Sequence, residues 1–380
     1  MVERGHFYLE GSSSPHLQTK GDVFEYRGHK YAAKQPGQFM AGAIVYSLLH
    51  KLGLNYVNNY LLTSALVTFF TTSLVLAASS VALFGIAREL TADGRSLFWP
   101  LAATLSYALA TTAFSYSGIA HHDALVTGYL VIAFYLILQL SRDSATKRAS
   151  FPQAAGAGLL LGLTITTSML PFFMVVLCVI YFLCSRRWQL LPVFLVGMLA
   201  GLLPLFVYDA VSFGNPFLLP NVAGAGMFAD TSFHFDPKNF GDKLAFYASS
   251  VAAYAPVFAV GLLGLSYYPR PIKRGPEFMT LVTLMIALAV FVFNINSDGD
   301  CQFGPRYLLS AMPFACLGRS SEQEPGRFQL LAKRSGSVGV RREVAACLHD
   351  IGRLQRQGEE MMISWLRVEA LACYHPMTAT

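Results

Sequence analysis

The sequence predicts an all-α polytopic membrane protein, a helical bundle of about eight to nine membrane segments with extracytoplasmic loops. Three observations lead there. The 380 residues are 54% hydrophobic and only 13% charged, with a mean hydropathy of +0.46, as befits a chain whose solvent is lipid. Apolar runs near the ~20 residues needed to cross a ~30 Å hydrocarbon core recur along it. Lys and Arg gather in alternate loops, the pattern that orients membrane proteins. Those clusters account for the formal charge of +6, so the lipid bilayer is an expected partner and nucleic acid is not. The six cysteines show no CxxC spacing, and Cys178, Cys184 and Cys316 fall within apolar runs. They indicate neither a zinc site nor a disulfide framework.

Taken in order, residues 1–38 are polar and carry no apolar signal segment, and they are expected to form an extracytoplasmic loop. Residues 38–54 make a run too short to span, interrupted by His50 and Lys51, which suits an interfacial or re-entrant helix. Full spans are expected at 59–86, 97–118, 123–141, 190–210, 246–267 and 278–295. Residues 154–184 are too long for one span and too short for two. Pro171 breaks them in the middle, so they read as two short helices forming a hairpin. Residues 306–318 are again too short to span. The membrane domain is therefore 39–318, followed by a soluble, disordered or partly helical tail at 319–380 with no catalytic role.

Basic residues set the sidedness. Arg88 and Arg95, then Arg142, Lys147 and Arg148, then Arg186 and Arg187, then Arg270, Lys273 and Arg274 mark cytoplasmic loops. The alternate loops, 119–122, 212–245 and 296–305, hold only Lys238 and Lys243 and are extracytoplasmic. The alternation closes only if 154–184 crosses twice, which agrees with the hairpin.

Four polar constellations fall on that outer side. Residues 26–38 are basic and aromatic and end in Lys34-Gln-Pro-Gly37; a Lys beside such a turn can hold a phosphate, or can simply snorkel. Ala120-His-His-Asp123 suits proton transfer or orientation of an acceptor, the alternative being an Asp N-cap with solvated histidines. Tyr208-Asp209 leads into Ser212-Phe-Gly-Asn-Pro216, which is turn chemistry beside an unusual intramembrane carboxylate. Residues 296–309 hold Asp298, Asp300 and Arg306. The two carboxylates are a weak metal alternative. Arg306, at the mouth of an apolar run, either snorkels or pairs with a carboxylate or a substrate phosphate. No cofactor is expected.

The order of Gly28-His-Lys-Tyr31 with Lys34-Gln-Pro-Gly37, His121-His-Asp123, the 208–216 stretch and Gly304-Pro-Arg-Tyr-Leu308 resembles the C-type (GT-C) superfamily of polytopic membrane glycosyltransferases. These are the relatives of protein O-mannosyltransferases and lipid A aminoarabinose transferases. The resemblance covers residues 1 to about 318 and implies a GT-C-like bundle in a bacterial plasma membrane. It further implies transfer of a sugar, with inversion, from a polyprenyl-phosphate-linked donor to an extracytoplasmic glycan, lipid or protein acceptor. By position it makes Lys34 and Arg306 the phosphate clamp. The family's catalytic base is an acidic residue after a first membrane helix, for which Asp22 and Glu25 are weak substitutes, and His122 and Asp123 are further catalytic candidates. The chain therefore reads as lacking that first helix. The alternatives are an inactive or truncated GT-C-like protein and, further off, a transporter.

Overall fold

The apolar runs fold as helices because hydrocarbon offers no partner for backbone amides, so each segment must satisfy its own. The computed structural model describes residues 2–10, 23–90, 97–142, 147–185, 187–224, 240–266, 275–295 and 304–318. An antiparallel pair, β1 (Val23–Tyr26) and β2 (His29–Ala32), comes first, with Tyr26 opposite His29. The two residues between them, Arg27 and Gly28, have φ of 50° and 81°, the left-handed conformation at both turn positions that matches the twist of a tight hairpin. The prediction of helices alone is corrected here. The segment before the membrane is a hairpin whose inner Phe24 and Tyr31 pack on Tyr208 and Phe213.

α1 (Gly37–Lys51) follows. α2 (Tyr60–Thr68) and α3 (Leu74–Leu90) are joined through a π-helical turn, Phe69–Ser73, into one 31-residue apolar helix. α4 (Phe98–Ala110) and α5 (Thr112–Ser117) occupy the expected span at 97–118 but break at Thr111, so the single crossing predicted there is not continuous. α6 (His122–Arg142) is the central helix. It packs on α3, on α7 (Lys147–Thr167) and on α8 (Phe172–Cys184). α7 and α8 are the two helices expected from Pro171, which lies at the break.

α9 (Leu191–Phe213) lies against α7 with backbones almost touching. A Cβ on Gly162 would stand 2.3 Å from the Met198 carbonyl, and one on Gly201 2.3 Å from that of Leu159. Only glycine fits at this crossing, and Thr166 Oγ1 donates across it to the Gly201 carbonyl at 2.7 Å. The opposite side of α9 presents Leu195, Leu199, Leu203, Val207 and Val211 outward, an apolar face suited to lipid tails.

After the short α10 (Pro220–Ala223), α11 (Phe240–Tyr254) and α12 (Pro256–Ser266) meet at 108°. The straight span predicted at 246–267 is thus bent. Pro256 has no amide hydrogen to continue α11. α13 (Gly275–Val292) and α14 (Met312–Gly318) complete the described bundle, the second entered through a 3₁₀ turn at Arg306–Ala311 whose residues are all buried.

Among the described residues three helices are long and apolar enough to cross a membrane, Tyr60–Leu90, His122–Ser141 and Trp188–Phe213, or four if the bent α11–α12 pair is one span. Phe98–Ala110, Phe172–Cys184 and Thr280–Val292 are shorter apolar helices. The chain is an integral membrane protein, mostly helical, with fewer full-length crossings described than the eight to nine expected.

Candidate functional site

The segments predicted to lie outside meet at one end of the bundle. Tyr31 in the hairpin donates to the Ser212 carbonyl at 3.2 Å, and Gln35 donates to Asn221 Oδ1 at 3.0 Å. Gln38, in the first turn of α1, donates to the carbonyl of Ala120. The Lys34–Gln38 joint is therefore held against α9, α10 and the turn that starts α6. Residues 304–306 close the ring, since Gly304 lies beside Thr112 and Tyr254.

Arg306 does not snorkel. It is 8% exposed, donates from Nη2 to the Tyr307 hydroxyl at 3.1 Å and holds its guanidinium 4.8 Å from the centre of that ring. Its Nε is buried without a hydrogen-bond partner among the described residues. A buried guanidinium with one N–H left over offers an anion a charge-assisted bond that water would otherwise weaken. The turn carrying it is pinned to α6, with the hydroxyls of Thr127 and Ser310 3.0 Å apart.

His121, His122 and Asp123 are likewise buried, at 8%, 9% and 2% exposure, which removes the alternative of solvated histidines around a capping Asp. The two imidazole rings stack with centroids 4.4 Å apart. His122 Nε2 is 3.4 Å from Asp123 Oδ1 and His121 Nδ1 is 3.7 Å from Oδ2. The Asp123 amide donates to His121 Nδ1 at 3.2 Å, which directs the proton of that ring to Nε2. Burial pushes the His121 imidazole down to about 4, with His122, Arg306 and Lys34 acting the same way and Asp123 opposing them. His121 is therefore neutral at physiological pH, with the lone pair of Nδ1 taken by the Asp123 amide and the proton on Nε2.

Lys34 and Arg306 are both within electrostatic reach of Asp123 as well as of His121. Both cations, from the hairpin–α1 joint and the 3₁₀ turn, thus act electrostatically on the carboxylate and the imidazole at the start of α6; with His122 these are five groups. Sequence reasoning found four of these five and left out His121 as an actor in its own right. It also missed Tyr116, whose ring lies tilted against that of His121 with centroids 5.1 Å apart.

The other candidates stand apart. Glu25 is exposed on β1 opposite Lys30, and its charge is not among those acting on Asp123 or His121. Asp209 is fully buried in α9 with neither carboxylate oxygen hydrogen-bonded among the described residues. Asp22, Asp298 and Asp300 lie outside the described residues.

No protein-family model and no curated protein matches the chain. Solved structures do. ArnT from Cupriavidus metallidurans bound to undecaprenyl phosphate superposes with a TM-score of 0.52 at 17% identity, over 86% of this chain and 56% of that one. The chain shares its fold with ArnT. ArnT in the apo state gives 0.50 at 15% identity, over 82% of this chain and 53% of that one. The archaeal oligosaccharyltransferase AglB from Archaeoglobus fulgidus, in complex with an inhibitory peptide and a dolichol-phosphate, gives 0.47 at 15% identity, over 82% and 45%. The GT-C-like bundle here thus spans little more than half the length of the ArnT chain.

Proposed function

We propose that the chain transfers a sugar from a polyprenyl-phosphate-linked donor to an acceptor hydroxyl, with inversion, on the extracytoplasmic side of a bacterial plasma membrane. The observation that carries this reading is the buried Arg306 guanidinium, whose Nε has no hydrogen-bond partner among the described residues. It stands at the end of the bundle where Gln38 ties the Lys34 joint to the turn before Asp123, within a fold shared with a protein solved bound to undecaprenyl phosphate.

The chemistry follows from charge. As the acceptor oxygen bonds to the anomeric carbon, the bond from that carbon to the donor phosphate oxygen breaks and its electron pair stays on the phosphate. The growing negative charge meets the Lys34 ammonium and the Arg306 guanidinium, fixed in a low-dielectric cleft where they need no reorganisation. The acceptor proton goes to Asp123 or His122 at the start of α6. Glu25, exposed on the hairpin, is less suited to that role than Asp123. The acceptor is a glycan, a lipid or a protein.

Membranes containing the chain are expected to transfer radiolabelled sugar from a polyprenyl phosphate donor, and Arg306→Ala to abolish transfer at unchanged expression. Equal transfer by the variant would remove the clamp, and with it this reading.

A further inference from the structure

The hydroxyl pair that ties the 3₁₀ turn to α6 has a direction. Thr127 Oγ1 donates to the Asp123 carbonyl at 2.7 Å, and a threonine hydroxyl has one proton to give. The Ser310 hydroxyl, 3.0 Å from Thr127 Oγ1, is therefore the donor of the second bond. The bond of a helical threonine to its own preceding turn is ordinary, and Thr104 and Thr164 make it too. At Thr127 a hydroxyl from another segment joins it. Ser310 interrupts an apolar run, Leu308-Leu-Ser-Ala-Met312, and a hydroxyl buried there is costly unless it is bonded. Thr127, Ser310 and Asp123 are at 0%, 2% and 2% exposure, so the relay runs where the dielectric is low and each bond is strong.

A 3₁₀ turn has poorer internal hydrogen bonds than an α-helix, so contacts outside it decide where Arg306 stands. Gly304 abuts Thr112 and Tyr254, Thr112 Oγ1 donates to Met312 Sδ at 3.2 Å, and Ser310 donates to Thr127. Of these contacts the last leads on to the backbone of Asp123. We propose that Thr127 and Ser310 are positioning residues that fix the distance between Arg306 and Asp123. This rests on the sugar-transfer reading, in which Arg306 holds the departing phosphate and the start of α6 takes the acceptor proton. Neither hydroxyl has a proton left for substrate, since each donates within the relay. A displacement of about 1 Å between reacting groups costs on the order of a hundredfold in rate.

The test measures kcat and KM for the lipid-linked donor in membranes. Ser310→Ala removes the donor and strands no buried proton, because Thr127 still bonds the Asp123 carbonyl. Ser310→Ala and Thr127→Val are each expected to lower kcat on the order of tenfold or more with KM within about a factor of two. Thr127→Ser, which keeps the hydroxyl, should restore most of that loss. Thr104→Ala removes a threonine back-bond on α4 and should leave both constants unchanged. Wild-type kcat in Ser310→Ala, a loss confined to KM, or Thr127→Ser as impaired as Thr127→Val overturns the proposal. A second readout separates the tie from the reaction. The rate at which phenylglyoxal modifies Arg306 in the purified chain, read by mass spectrometry, should rise severalfold in Ser310→Ala and not in Thr104→Ala. If the wild type transfers no sugar yet that rate rises, the sugar-transfer reading fails and the tie stands. An unchanged rate overturns the tie.

Discussion

Arg306 shows how far one side chain departs from what its neighbours in sequence suggest. At the edge of an apolar run a guanidinium is expected to reach for the interface, yet here it turns inward onto Tyr307 and leaves Nε without a partner among the described residues. Its planar fork is what that position uses, and a lysine keeps the charge while losing the stack and the second donor. Arg306→Lys should therefore lower kcat/KM for the lipid-linked donor by on the order of tenfold or more, the equivalent of one charge-assisted hydrogen bond of about 1.5–3 kcal/mol. Single-turnover transfer in membranes would check it, and activity within a factor of two of wild type would mean that charge alone suffices. The identities of Lys34, Asp123 and Arg306 were legible in the sequence because each stands in a polar island between apolar runs. The burial of Asp123 and Arg306 was not, because burial depends on which distant segments close over them.

At the scale of elements, what could be read depended on whether hydrophobicity was interrupted. The helices at 59–86, 123–141 and 190–210 were legible as uninterrupted runs of membrane length, and the α7–α8 break as Pro171. The bend at Pro256 was missed although its proline was visible, because apolar residues on both sides kept the run continuous in composition while the backbone turned through 108°. The β1–β2 pair was missed because Arg27-Gly28 lacks the usual Asn-Gly signature of a two-residue turn. The α7–α9 crossing was also silent in sequence, since glycines in a membrane helix declare their role only when a partner backbone arrives. That crossing makes a sharp prediction. Gly162→Leu forces side-chain atoms into the Met198 carbonyl and the Gly201 backbone, and should destabilise the chain by about 3 kcal/mol or more. Thermal unfolding in detergent measures this, and an unchanged midpoint would show that the two helices separate freely.

For the whole molecule the bilayer decides the arrangement. Apolar faces such as that of α9 turn outward to lipid, so polar groups are left to collect where helices end, and the hairpin, the α6 turn and the 3₁₀ turn gather at one such end. The likeness to ArnT at 17% identity fits this view, since the fold is kept by length and polarity patterns that many sequences satisfy. The account stands on that gathered end receiving a phosphate carried on a polyprenyl chain. Direct binding of undecaprenyl phosphate to the purified chain in nanodiscs tests it most plainly. The wild type should bind saturably and both Lys34→Ala and Arg306→Ala should weaken binding by on the order of tenfold each, as for loss of a charge-assisted contact. Wild-type and variant chains binding the lipid equally, or none binding it, would contradict the account.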